Sequence, residues 1–204
     1  MTTTGEGGQP TTLLICCEGD VTEPTYFEVV KHHRRITKAQ AIVKIVGGEG
    51  QHLTLIKNSV GQRDQLAKLF NLHVDDIETW AVCDKDTMQC TLQELEAAAS
   101  KNNILLAFSN PNFEIFVLQH LKFSATNANG HELKNIISKE LKRQKIAEVY
   151  DKTDLSWLYP FLDKDPTRLD FAIKNSNRIS DPENTPHLTV HNLLARLLEF
   201  EVGR

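Results

Sequence analysis

Thr12-Leu13-Leu14-Ile15-Cys16-Cys17, closed at once by Glu18-Gly19, is the stretch on which the reading of the fold turns. A run of this kind has no polar alternate face, so it reads as a strand buried on both sides, as in the middle of a parallel sheet. Three similar runs follow, at residues 41–46, 79–83 and 104–108. Segments of helical period separate them. Residues 22–35 carry Glu23 and Pro24 in the first turn and His32, His33, Arg34 and Arg35 in the last, both placements that suit a helix dipole. Residues 51–70 keep Leu53, Ile56, Val60, Ala67 and Phe70 at three-to-four spacing, and residues 91–101 do the same with Leu92, Leu95 and Ala99. After the fourth run, Asn110-Pro111 predicts a helix capped by Asn110, with Phe113, Phe116, Val117 and Leu121 as its apolar stripe. Strands alternating with helices predict an α/β fold with a central, mostly parallel four-stranded sheet flanked by helices.

Beyond residue 121 no further run of comparable strength appears, and the chain reads as helical over residues 131–150, 165–178 and 188–202. The organisation expected is a flexible tail over residues 1–10, an α/β core over 11–121 and a helical C-terminal portion over 122–204 packed on the core. The stripe Val190, Leu193, Leu194, Leu197 and Leu198 must bury against that core or against a second copy in a homodimer.

Composition narrows the function classes. The 204 residues include 40% hydrophobic ones, enough for a sizeable core without covalent help. Lys plus Arg at 23 against Asp plus Glu at 27 gives a formal charge of −4, so a nucleic-acid partner must be met by a local patch. No apolar stretch approaches the roughly 20 residues that span a bilayer, and no membrane partner is expected. The first ten residues lack the basic and apolar regions of a secretory signal, which points to the cytoplasm. The 4 cysteines form no C-x-x-C pair, and Cys16 and Cys17 sit in an apolar run, so neither zinc nor a disulfide framework is expected.

Ligands in open α/β folds bind at the carboxyl ends of the strands. Glu18-Gly19 follows the first strand and Asp84-Lys85-Asp86 the third. If those strands are neighbours, Glu18, Asp84 and Asp86 converge, and their repulsion calls for a hard divalent cation such as magnesium or manganese. The chemistry served is phosphoryl transfer or phosphodiester cleavage. Any one of these acids alone reads more readily as a helix cap or a solvated loop residue, and it is the set on corresponding edges that favours a site. Glu114 could reach the metal edge or merely complement a helix dipole.

A strand ending in Glu-Gly, with Asp-x-Asp two strand units later, resembles the Toprim fold of topoisomerases, bacterial primases and OLD-family nucleases. At closer range, Glu18-Gly19 with Thr22-Glu23 and Tyr26-Phe27, then Asp84-Lys85-Asp86, then Ser109-Asn110-Pro111-Asn112-Phe113-Glu114, resembles the RloB-like family and its E-G-x-x-T-E-x-x-Y-F, D-x-D and S-N-P-x-F-E blocks. Phe116 matches the aromatic residue two places beyond the last glutamate, and Asn184-Thr185-Pro186 before a leucine-rich helix extends the resemblance. It implies a magnesium- or manganese-dependent nuclease of phage defence, working with an ABC- or AAA-type ATPase. Glu18 matches the strand-one acid, Glu23 the second acid, and Asp84 and Asp86 the paired aspartates. Lys85 is the one lysine inside a motif and is the candidate for transition-state stabilisation. A non-catalytic subunit that binds nucleic acid or the ATPase, and a nucleotidyl-transfer enzyme, are the alternatives.

Residues 139–145 and 32–35 are the densest positive segments and serve either as phosphate contacts or as solvated helix faces. Trp80 and Trp157 read as core or interface residues. Gly47-Gly48-Glu49-Gly50 lacks the Lys-Ser/Thr of a P-loop and reads as a loop.

Overall fold

The computed structural model describes residues 10–86, 88–182 and 185–200. The expected tail lies outside them apart from Pro10, as do Asn184 and the end of the expected C-terminal helix beyond residue 200. In chain order the elements begin β1 (Thr11–Cys17), α1 (Thr22–His33), β2 (Ala41–Val46), α2 (His52–Phe70), β3 (Ile77–Asp84), α3 (Leu92–Lys101) and β4 (Leu105–Asn110). They continue α4 (Phe113–Leu121), α5 (Gly130–Arg143), α6 (Leu158–Lys164), α7 (Thr167–Asn177), β5 (His187–Leu188) and α8 (Val190–Leu198). The sheet order is β2-β1-β3-β4-β5, with β1 parallel to β2 and β3, β4 parallel to β3, and β5 antiparallel to β4. Five mostly parallel strands flanked by eight α-helices among the described residues make the mixed α/β architecture expected of a Toprim-like chain.

The sheet has five strands rather than the expected four. β5 spans only His187–Leu188 and pairs with Ser109 and Asn110, which makes it too short to leave an apolar run of its own. A second correction concerns α4. Asn112, not Asn110, precedes its first turn, and Asn110 closes β4, its side-chain amide donating to Thr185 Oγ1 at 3.4 Å. The helix expected over residues 131–150 stops at Arg143, and the seven residues of α6 are too few to leave a periodic signal in the sequence.

Side chains on the central strands alternate between two cores. Leu14, Cys16, Ala81, Cys83 and Phe108 face α2 and α3. Leu13, Ile15, Cys17, Val82 and Ala107 face the other way, toward α1, α4 and the C-terminal helices. Leu133, Ile137, Leu162, Leu169 and Leu193 belong to that same cluster, so residues beyond 121 cover one face of the sheet. The α8 leucines Leu193, Leu194 and Leu197 are fully buried within the chain itself, which answers where that stripe packs. Helix α4 lies in the middle of this layer with all nine residues buried, which is why a single apolar stripe underdescribes it. Trp80 and Trp157 are buried, as expected.

Candidate active site

Parallel pairing in register places Cys17 opposite Val82, so Glu18 leaves β1 at the level where Asp84 ends β3. The Glu18 N–H still donates to the Val82 carbonyl at 2.9 Å, keeping the start of the turn against β3. Strand alternation then sends the two carboxylates apart. Cys17 faces α1, so Glu18 turns toward α2, where its Oε2 is 4.0 Å from His52 Nε2. Asp84 turns toward α1 and α4.

Glycine governs the turn that follows. A Cβ on Gly19 would stand 2.3 Å from Glu23 Oε2, so a glycine is needed for Glu23 to fold its carboxylate back from the first turn of α1. The Gly47 side of the next loop packs on the same turn, where a Cβ would meet the Gly19 carbonyl oxygen at 2.8 Å. Residues 47–50 thus brace the acidic turn: Gly48 N–H donates to the Gly19 carbonyl at 3.2 Å and Glu49 N–H to the Cys17 carbonyl at 3.1 Å.

Aromatic packing joins the first and third sequence blocks. Tyr26 lies edge-on to Phe113 and to Phe116, each at 5.4 Å between ring centroids, and its hydroxyl meets His120 Nε2 at 2.9 Å. The contact fixes α1 against α4 and thereby sets Glu23 across from Glu114.

The result is a cavity of about 490 Å³ whose wall includes Glu23, Asp84, Asp86 and Glu114. Glu23 and Glu114 are each 7% exposed, while Asp86 lies in the open. Glu18 does not line this cavity but lies next to it, and its charge is felt there. Burial raises the pKa of Glu23, and the charges of Glu114 and Glu18 raise it further, against a lowering by Lys152. Asp84 is pushed well above the ordinary aspartate value by burial, then by Glu23 and Glu114. Burial likewise raises Glu114, opposed by Lys134 and Lys152. Glu18 is raised by burial, opposed by His52 and by the Asp84 backbone N–H.

Two oxygens in this cluster, Glu18 Oε2 and Asp84 Oδ1, are buried without a hydrogen-bond partner. A buried carboxylate oxygen left unpaired is costly, and a cation is the partner that satisfies it without adding bulk. The donor set is all oxygen, which suits magnesium or manganese. As the side chains stand, no group of three or more His, Cys, Asp or Glu among the described residues forms a ready metal cluster. Magnesium needs none, because it keeps several waters and takes one or two protein carboxylates together with substrate phosphates. The residues therefore fit such an ion.

The C-terminal portion closes the site with groups outside every motif. Lys134 of α5 and Lys152 line the cavity. Thr22 Oγ1 donates to the Lys152 carbonyl at 2.9 Å, and Asp151 Oδ1 accepts from Thr153 N–H at 2.8 Å, so a tight turn anchored on α1 carries Lys152. Tyr150 beside it is 4% exposed, its hydroxyl has no partner, and burial with the charges of Glu114 and Glu23 pushes its pKa up. Lys85, the lysine inside the motif, is exposed and does not line the cavity, while its N–H donates to the Ser109 carbonyl at 2.8 Å. Within the positive segments, Lys142 pairs with Glu148 at 2.8 Å on the surface, and Arg34 donates to the Leu198 carbonyl at 3.1 Å.

Among comparisons with known proteins, the family model described as RloB-like protein matches residues 13–197, and so takes in the C-terminal helices as well as the motif blocks. No curated protein and no solved structure matches the chain.

Proposed function

The chain belongs to the RloB-like family, and from that premise we propose that it is a metal-dependent nuclease of Toprim type that hydrolyses phosphodiester bonds in DNA or RNA. The observation that carries the reading is the meeting of Glu23, Asp84, Asp86 and Glu114 on one cavity at the carboxyl edge, with buried carboxylate oxygens lacking a partner beside it. Acids retained only for structure would not be arranged to raise one another's pKa, since that arrangement destabilises the fold. This counts against a merely structural role.

In the proposed reaction Asp84 and Asp86 would hold magnesium or manganese, Glu114 completes the negative wall, and Glu18 adds its charge from beside the cavity without lining it. When bound there, such an ion would supply the chemistry of lowering the pKa of a water and of offsetting charge on the leaving oxygen. Lys134 and Lys152 face the carboxylates and meet the substrate phosphate, offsetting its charge as it enters an acidic cavity. Glu23, whose pKa is raised by burial and by its neighbours, holds a proton more readily than a solvated glutamate and can exchange one with the leaving oxygen at its carboxylate. Lys85 is set aside for the transition-state role, because the lysines on the cavity wall among the described residues come from α5 and from the turn after it.

The proposal extends to work beside an ABC- or AAA-type ATPase in cytoplasmic anti-phage defence, a part that rests on the family resemblance alone. No helix among the described residues is long and apolar enough to cross a membrane. The test is to incubate the full chain, alone and with the ATPase encoded beside it, with DNA and with RNA in magnesium or manganese. Cleavage that disappears in Asp84→Asn while the fold is kept supports the reading; no cleavage under any of these conditions contradicts it.

A further inference from the structure

His52 stands outside every sequence block, yet it touches both acidic strand ends. It opens α2 with φ +48, in the left-handed region that is uncommon for residues other than glycine, although histidine, asparagine and aspartate enter it more often than the rest, and it is 5% exposed. Gln51 before it makes no capping bond with its side chain. A strained, buried start without a cap needs a local reason. The ring supplies one. Its Nε2 is 2.9 Å from the Asp84 carbonyl oxygen and 4.0 Å from Glu18 Oε2. A carbonyl only accepts, so the hydrogen in that bond is carried on Nε2.

On the other side of the same peptide unit, the Lys85 N–H donates to the Ser109 carbonyl at 2.8 Å. The plane joining Asp84 to Lys85 is thus held by its oxygen from α2 and by its nitrogen from β4. Peptide planarity makes the two bonds one clamp. It fixes the point from which the chain turns to present Asp86 beyond Asp84.

We infer that His52 is the positioning residue of the carboxylate site, holding the Asp84–Lys85 peptide and the neighbouring Glu18 in the arrangement that accepts a divalent cation. The inference rests on the metal-dependent reading above and adds to it a residue that no motif contains. Such a residue acts through the ligands, as partners behind metal-binding side chains do.

Two substitutions separate positioning from packing. Asparagine tolerates the left-handed backbone, but its amide ends near the place of the histidine Nδ1, short of the Asp84 carbonyl. Glutamine reaches farther and brings an N–H donor to the place of Nε2. Manganese binding to the full chain is measured by calorimetry for wild type, His52→Asn and His52→Gln, alongside thermal melting. The expected result is a dissociation constant about 10- to 100-fold weaker in His52→Asn with its fold retained, and recovery of most of that loss in His52→Gln. Wild-type affinity in His52→Asn, or equal impairment in the two variants, overturns the role of His52 alone. A wild-type chain that binds no manganese overturns the metal reading and the inference with it.

Discussion

Glu23 Oε2 occupies the space that a side chain on Gly19 would need: a Cβ built there stands 2.3 Å from it. The obstacle is the tip of a flexible side chain and not backbone, so Gly19→Ala should leave folding nearly intact, at a cost of about 1 kcal/mol for the displaced rotamer. Activity should suffer far more, because Glu23 loses its place on the cavity wall. Melting temperature and cleavage rate measured on the same preparation check this split. Equal and severe loss in both would show that the turn, not Glu23, is what glycine protects.

The raised carboxylates make stability depend on pH with a defined sign. A group whose folded pKa lies above its unfolded value stabilises the fold when protonated and loses that contribution as pH rises through the folded pKa. Asp84, Glu23 and Glu114 all shift this way, so the metal-free protein should lose stability from their protonated forms as pH climbs above the ordinary carboxylate range. Buried His120 and His191, each lowered to about 4, act oppositely, removing stability as pH falls from the usual histidine range toward 4. The comparison between wild type and Asp84→Asn isolates the carboxylates. Asp84→Asn should melt higher than wild type above neutrality in chelator and lose that advantage toward pH 4. A gap between the two that does not change with pH would contradict the shared-repulsion account.

Lys152 is exposed, sits on an anchored turn and faces the acids, so Lys152→Ala should keep the fold. Cleavage should fall by about 100-fold, the order seen when one preorganised donor to a charged transition state is removed. Lys85→Ala is the comparison, and it should retain most activity. Kinetics of the two variants in saturating manganese decide between them; the opposite ranking would return the role to the motif lysine.

Leu193 is fully buried where α8 meets the core. Leu193→Lys should cost at least about 4 kcal/mol, combining a lost apolar side chain with a buried charge. For a chain of this size that lowers Tm by roughly 10 °C or more. A melt within a few degrees of wild type would mean α8 does not pack as described.

The strands and the acids after them were legible because each is a local signal. Residues 12–17 read as a buried strand, and parallel neighbours then bring Glu18 and Asp84 to one edge. What stayed hidden depends on contacts between distant segments. Lys152 matters only because Thr22 anchors its turn, and His52 only because α2 starts beneath the end of β3. β5 exists only by pairing with Ser109 and Asn110. Asn110 reads as a cap wherever proline follows it, yet pairing with β5 keeps it in the sheet, and the helix begins after Asn112. The parting of Glu18 from Asp84 across the pleat follows from alternation on β1 and β3, but only once their register is known.

The central claim is that the acids at the carboxyl edge bind a divalent cation. Titrating manganese into the metal-free full chain by calorimetry, for wild type and Asp84→Ala, tests it most directly. The account predicts saturable binding in wild type that Asp84→Ala abolishes while the melting curve remains cooperative. Absence of saturable binding in wild type, or undiminished binding in Asp84→Ala, would contradict it.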